Sequence, residues 1–183
     1  MRLLSYQDET GVSLCPVCKT TYSLKGITPE LKVYDTKGYS HLSLAGYISE
    51  NGDMYYEVRQ GSFNGKAIAN FLEKGFTGRK KQKHVLIWDN ASIHRCKEVK
   101  AFLEKEACKQ NRVWLEQLPP YSPELNPIEL LWGYLKNNKL AGIVCKTLTE
   151  LKAYVIRAME QIKADRELIK SFFRHQKTEP MQT

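Results

Sequence analysis

His84-Val-Leu-Ile-Trp88-Asp89-Asn90 is a short, almost continuous apolar run that stops on two polar residues. A run of this length, rich in β-branched and aromatic side chains, reads as a buried central strand, and Asp89 then stands as a carboxylate at its carboxyl end. Upstream, Gly78-Arg-Lys-Lys-Gln-Lys83 is a basic loop, either a solvated connector or a phosphate contact. Before it, Asn64 is placed to cap a helix through Phe76 whose apolar stripe is Ile68, Phe71 and Leu72. Downstream, Cys96 to about Lys109 predicts a helix with Val99, Phe102 and Leu103 inward, and Val113 to Leu118 a further strand.

The outer elements follow from the same periodicities. Leu3, Leu4 and Tyr6 precede Asp8-Glu9 in a short strand carrying a carboxylate near its end. Gly11 to Pro29 is turn-rich, with Gly26-Ile-Thr-Pro29 resembling a hairpin connection. His41 to Ile48 alternates, Asn51-Gly52 marks a tight turn, and Met54 to Val58 returns antiparallel. A proline-rich loop, residues 119–127, leads into a helix from Ile128 to about Lys139 with Leu131, Trp132 and Leu135 as its inner face. The final helix spans about Thr149 to Lys163, with Leu151, Val155, Ala158, Met159 and Ile162 at helical spacing. The order β-β-β-α-β-α-β-α-α predicts an α/β fold, a mixed sheet with helices on both faces. Residues 1–165 form one domain, and 166–183 are expected as a polar C-terminal tail.

Composition narrows the function classes. The chain has 183 residues, 42% of them hydrophobic, enough to close one core, so general disorder is excluded. No apolar run approaches about 20 residues, and the start reaches an acidic pair too early for a signal peptide, so a soluble intracellular protein is expected. Twenty-eight Lys and Arg against 20 Asp and Glu leave a formal net charge of +8, which favours a polyanionic partner, nucleic acid before membrane. The five cysteines are an odd count and read as reduced thiols. Cys15-Pro-Val-Cys18 has the spacing of half a zinc site, but no second pair completes it, so the reading is two thiols in a turn.

Three carboxylates sit where a sheet of this kind exposes ligands: Asp8 on the first strand, Asp89 after the buried strand, and Glu129 at a helix start. Hard divalent cations take oxygen ligands, and two such ions about 3.5–4 Å apart can activate an attacking oxygen and stabilise a leaving one in phosphoryl transfer. Glu129 also has a purely structural reading: Asn126-Pro-Ile-Glu129 is a capping box, with the glutamate reaching back to the cap amide. The two roles can coexist.

Tyr6-Gln-Asp-Glu-Thr10, Trp88-Asp-Asn-Ala-Ser-Ile-His94 and Leu118-Pro-Pro-Tyr-Ser-Pro-Glu-Leu-Asn-Pro-Ile-Glu-Leu-Leu-Trp132 together resemble the catalytic core of mariner-like transposases. Their bacterial insertion-sequence relatives, DDE superfamily endonucleases, are the nearest likeness. The third segment is long and specific, and the resemblance covers about residues 3 to 140. It implies an RNase H-like fold, with Asp8, Asp89 and Glu129 as the catalytic acids and as ligands of Mg²⁺ or Mn²⁺, two ions in all. Glu124, in the proline-rich loop, is the rival third acid. The 39 residues between Asp89 and Glu129 exceed the shortest family spacings, and the extra length falls near Glu104 to Asn111. His94 matches the family histidine, in contact with DNA or the acids or bracing its loop. Asn90 orients Asp89 or serves the turn, and Lys136 and Lys139 are phosphate contacts. Glu9, by strand alternation, is expected to point away from the acids. Trp132, on helical spacing, is a core residue.

The chemistry implied is metal-dependent cleavage of double-stranded DNA at transposon ends and strand transfer into a target, usually at TA steps. A homodimer is implied because two ends must be paired, and the compartment is the prokaryotic cytoplasm, at the nucleoid when bound to DNA. Because Asp8 comes after only seven residues, the helix-turn-helix modules of a complete transposase are expected to be absent from this chain. An upstream frame or a separate DNA-binding polypeptide would supply them. The alternatives are an inactive DNA-binding remnant and a stand-alone RNase H-like metal nuclease.

Overall fold

Alternation along β2 (His41–Ser49) divides the molecule into two layers. Leu42, Leu44 and Ile48 pack on one side of the sheet, and Ala45 and Tyr47 on the other, all completely buried. The computed structural model describes residues 2–17, 22–26, 30, 34, 40–77, 83–89, 91–110, 113–120 and 122–176. β1 (Arg2–Ser13) pairs antiparallel with β2, from Ser5 opposite Ser49 to Ser13 opposite His41. β2 pairs antiparallel with β3 (Met54–Gln60) through the expected turn, where Gly52 takes φ +86°. β1 also pairs parallel with β4 (Lys83–Trp88), and β4 in turn with β5 (Val113–Gln117). The sheet order is β3-β2-β1-β4-β5.

Two expectations are corrected here. The first strand is 12 residues long and runs through Gly11 to Ser13, because its distal half has β2 as a partner; Asp8 is therefore mid-strand. The centre of the sheet is β1, whereas β4 is an interior strand with alternating burial: His84, Leu86 and Trp88 are buried, and Val85 and Ile87 only partly covered.

Helices on both faces are expected and found; among the described residues there are five α-helices, one more than the sequence suggested. α1 (Gly65–Thr77) starts where Asn64 Oδ1 accepts a hydrogen bond from the Ala67 amide at 2.9 Å, and it buries Ile68, Phe71 and Leu72. α2 (Lys97–Gln110) packs beside it and against β5, with Val99 and Phe102 inward. The opposite layer holds α3 (Pro127–Tyr134), which continues as a π turn over Leu135–Lys139, and α4 (Leu148–Ala164), capped by Thr147. All five apolar positions expected on α4 are buried.

Residues 166–176, expected as the start of a tail, instead form α5 (Arg166–Gln176). Asp165 accepts the Leu168 amide at 2.9 Å as its cap, and Ile169 and Phe172 enter the core. Among the described residues no helix is long and apolar enough to cross a membrane. Gly78 to Gln82 of the basic loop, Ile27 to Pro29 of the hairpin connection, Cys18 and Asn90 lie outside the described residues.

Candidate active site

Parallel pairing sets two of the acids side by side. Tyr6 is opposite Ile87, so continuing the register by two residues brings Asp8 level with Asp89, just past the last residue of β4. The loop after β5 is tied to that same point: the Leu118 amide donates to the Trp88 carbonyl at 2.9 Å. Its prolines stiffen the path, and a single 3₁₀ turn at Pro123–Leu125 delivers the chain into α3 with Pro127 in its first turn. Glu129, one residue after the buried Ile128, thus stands in the first turn of a helix, where the dipole favours negative charge.

Asp8, Asp89 and Glu129 open on one cavity of about 400 Å³, walled also by Ala91, Leu118, Pro119, Pro120, Ser122, Pro123 and Asn126. Glu124 is not among its lining residues, and Lys136 faces a separate groove beside Val12, Cys15 and Leu140. Lys139 is tied to α4 through Gln161 at 3.1 Å. Trp132 is buried in the core, as expected. Cys15 is exposed, Cys96 half-buried and Cys145 buried, each a free thiol.

The expected capping box does not form. The Asn126 side chain accepts no cap bond, and the Asn126 backbone N–H donates to the Pro123 carbonyl at 2.9 Å. The Glu129 carboxylate makes no hydrogen bond among the described residues and is left facing the cavity. Asn126 itself is only 4% exposed, and its Oδ1 has no partner among the described residues.

Asp8 is 8% exposed. Burial first, and then the negative charge of Glu129, push its carboxyl up to about 7, with Glu9 and Asp89 adding to the effect. The Glu9 amide, donating to Asp8 Oδ1 at 2.8 Å, pulls the other way. Asp89 is half-exposed and accepts the Ala91 amide at 2.9 Å.

His94 lies in the 3₁₀ turn Ser92–Arg95 and is buried, its ring stacked on Trp88 with centroids 4.5 Å apart. Nδ1 is 3.0 Å from Asp89 Oδ1 and 3.3 Å from the Asp89 carbonyl, and Nε2 is 3.1 Å from Glu9 Oε1. Burial alone would favour the neutral ring, but the Glu9 carboxylate, helped by Asp89, holds the His94 pKa above its usual value. Glu9 does point to the face opposite Asp8, as alternation requires, and yet reaches the second acid through this histidine. The motif spacing carried His94, but nothing local in the sequence carried its contact with Glu9, 85 residues away.

An all-oxygen donor set of three carboxylates suits a hard divalent cation, and the Asp8 carboxyl is raised by burial first and then by the charge of Glu129 across the cavity. Among the described residues no three Asp, Glu, His or Cys side chains are drawn together tightly enough to cage an ion. The two observations describe an open site, in which the charges feel one another across the cavity.

A five-stranded mixed sheet with helices on both faces, and acids from β1, the end of β4 and α3 opening on one cavity, has the fold of a transposase catalytic domain. The chain belongs to the DDE superfamily endonucleases, whose family model matches residues 3–152. The fold is similar to that in the crystal structure of the mariner Mos1 paired-end complex with Mg, with a TM-score of 0.73 at 18% identity over 95% of this chain and 52% of that one. It is similar also to the Mos1 strand transfer complex, with a TM-score of 0.60 at 17% identity over 92% of this chain and 53% of that one. The isolated catalytic domain of Mos1 gives a TM-score of 0.50 at 15% identity over 92% of this chain and 80% of that one. The uncharacterized protein y4pE/y4sA of Sinorhizobium fredii is 30% identical over 78 residues, 43% of this chain and 52% of that protein. The chain thus spans about half the length of the curated relative it matches.

Proposed function

We propose that this chain is the catalytic domain of a DNA transposase that cleaves double-stranded DNA at a transposon end and transfers the freed 3′ end to a target. The observation that carries the reading is the convergence of Asp8, Asp89 and Glu129 on one cavity, with Asp8 pushed up to about 7 by burial and by its two fellow acids. These three are the catalytic acids and the ligands of Mg²⁺ or Mn²⁺, two ions by analogy with the family; Glu124 has no part in the set. Bound there, the metal supplies Lewis-acid stabilisation of the attacking and leaving oxygens.

The chain's own residues do the rest. Asp8, Asp89 and Glu129 line the cavity with carboxylates, so the polyanionic backbone is drawn in only when cations offset their charge. The stiff proline loop fixes the angle of Glu129 and forms the wall along which a phosphodiester lies. In cleavage a water oxygen bonds to phosphorus, the P–O3′ bond breaks and a 3′-hydroxyl leaves. In transfer that hydroxyl makes the same attack on target DNA. No covalent link to protein is needed, so positioning carries the rate. His94 fixes Asp89, and Lys136 and the basic surface contact phosphates, in keeping with the net charge of +8.

Similar Mos1 structures are paired-end complexes with Mg and with Mn and a strand transfer complex, which supports the same partners here. A homodimer pairing two ends, insertion at TA steps, and an end-reading module in the same or a second polypeptide belong to this proposal. The test is nicking of supercoiled plasmid in Mn²⁺. Wild type should nick, and Asp8→Asn, Asp89→Asn and Glu129→Gln should each abolish nicking with duplex binding retained. Binding without nicking in wild type would favour the remnant reading. A preference for RNA–DNA hybrid would favour the nuclease reading.

A further inference from the structure

Asp89 begins where the β4 ladder ends, so its aim depends on contacts other than strand pairing. One is the Ala91 amide; the other is His94, whose Nδ1 sits 3.0 Å from Asp89 Oδ1. His94 in turn is fixed on two sides, by Trp88 under its ring and by Glu9 Oε1 at 3.1 Å from Nε2. Glu9 is held by Gln7, whose Nε2 donates to the same Oε1 at 2.7 Å. The chain of contacts Gln7–Glu9–His94–Asp89 crosses from the central strand to the end of its neighbour on the face opposite Asp8.

We infer that Glu9 is a positioning residue for the reaction: working through His94, it sets the orientation of Asp89. Adjacent residues of β1 would then govern two different acids. Asp8 faces the cavity directly, and Glu9 aims Asp89 from behind. The inference rests on the reading of Asp89 as a site acid. Outer contacts that orient a ligating carboxylate typically change metal affinity about 10–100-fold when removed.

The experiment titrates Mn²⁺ against the full chain and follows the metal-induced rise in melting temperature, alongside plasmid nicking. Glu9→Ala should raise the half-saturating Mn²⁺ concentration by about tenfold or more. Glu9→Gln, which keeps an oxygen facing the ring, should restore it to within about threefold of wild type, since the acceptor rather than the charge sets the contact. Glu9→Ala combined with His94→Ala should shift it no further than His94→Ala alone, as members of one chain of contacts do.

An unchanged half-saturation in Glu9→Ala overturns the inference, as does full additivity of the two substitutions. A drop in metal-free melting temperature alone, with Mn²⁺ response intact, also overturns it and leaves Glu9 a stabilising residue only. If Glu9→Ala does not fold, Glu9→Leu takes its place: a half-saturation raised about tenfold in Glu9→Leu and restored in Glu9→Gln supports it, and an unchanged one overturns it. Should Asp89→Asn leave both Mn²⁺ response and nicking intact, the reading of the site fails first, independently of Glu9.

Discussion

Gly46 on β2 and Trp132 on α3 touch where a side chain on the glycine would be. A Cβ there would lie 2.8 Å from Cη2 and 3.2 Å from Cζ2 of the indole, with Ile128 Cδ1 at 3.6 Å. Gly46 is also the register partner of Asp8. The helix therefore descends onto the sheet at the rung that carries the buried acid, and this brings Glu129 to Asp8. Gly46→Ala should cost about 1–3 kcal/mol of stability through overpacking. It should also weaken Mn²⁺-dependent nicking by lifting α3. Urea denaturation and the nicking assay check both, and an unchanged urea midpoint would contradict the packing.

The metal-free protein should lose stability as pH rises. Asp8 has a carboxyl raised to about 7 in the folded state, against an ordinary value of 3.8. Between these values the folded protein holds the proton that the unfolded chain releases, so the contribution is full below about pH 4 and lost as pH rises through 7. Melting curves in EDTA from pH 5 to 8 should slope downward in wild type and flatten in Asp8→Asn. Parallel curves would mean that neither burial nor its neighbours raise the Asp8 carboxyl in the folded protein. Because cation and proton compete for the same oxygens, the Mn²⁺-induced rise should grow over the same range.

Glu129→Gln should separate stability from function. Removing the charge that most raises Asp8 after burial relieves repulsion, so the metal-free melting temperature at pH 8 should rise while nicking disappears. Glu124→Gln should leave nicking at the wild-type level. The opposite assignment, nicking lost with Glu124 and kept with Glu129, would transfer the third acid to the proline-rich loop.

Helix α5 belongs to the folded unit, so Ile169→Ala, at a fully buried position, should cost about 2–5 kcal/mol. A loss under about 0.5 kcal/mol, the range of exposed substitutions, would return residues 166–176 to the status of a tail.

That helix also marks where the sequence stopped being legible. Leu168, Ile169, Phe172 and Phe173 do recur at helical spacing, and Asp165 is a capping residue three positions before Leu168. The dense charges between them read as a polar end, because what makes the stripe a core is its packing beneath α3, a contact remote in sequence. Helix α1 was legible because cap and stripe agreed, and α4 from its apolar stripe alone, its Thr147 cap lying before the expected start. The length of β1 was not, since Gly11 and Pro16 signal turns and only pairing with β2 keeps the chain extended to Ser13. The three carboxylates that line the cavity stand in the motifs the sequence offered, but what surrounds them was not legible. The capping box suggested by Asn126 and Glu129 gives way to a bond from the Asn126 backbone N–H to Pro123, and Glu9 meets His94 through tertiary packing alone.

The most direct test of the account is an anomalous difference map from crystals of the full chain soaked in Mn²⁺. Peaks between Asp8, Asp89 and Glu129, with the three carboxylates drawn inward onto them, are the predicted result. Mn²⁺ bound elsewhere, or a cavity without a peak in a protein that nicks DNA in the same Mn²⁺, would contradict it.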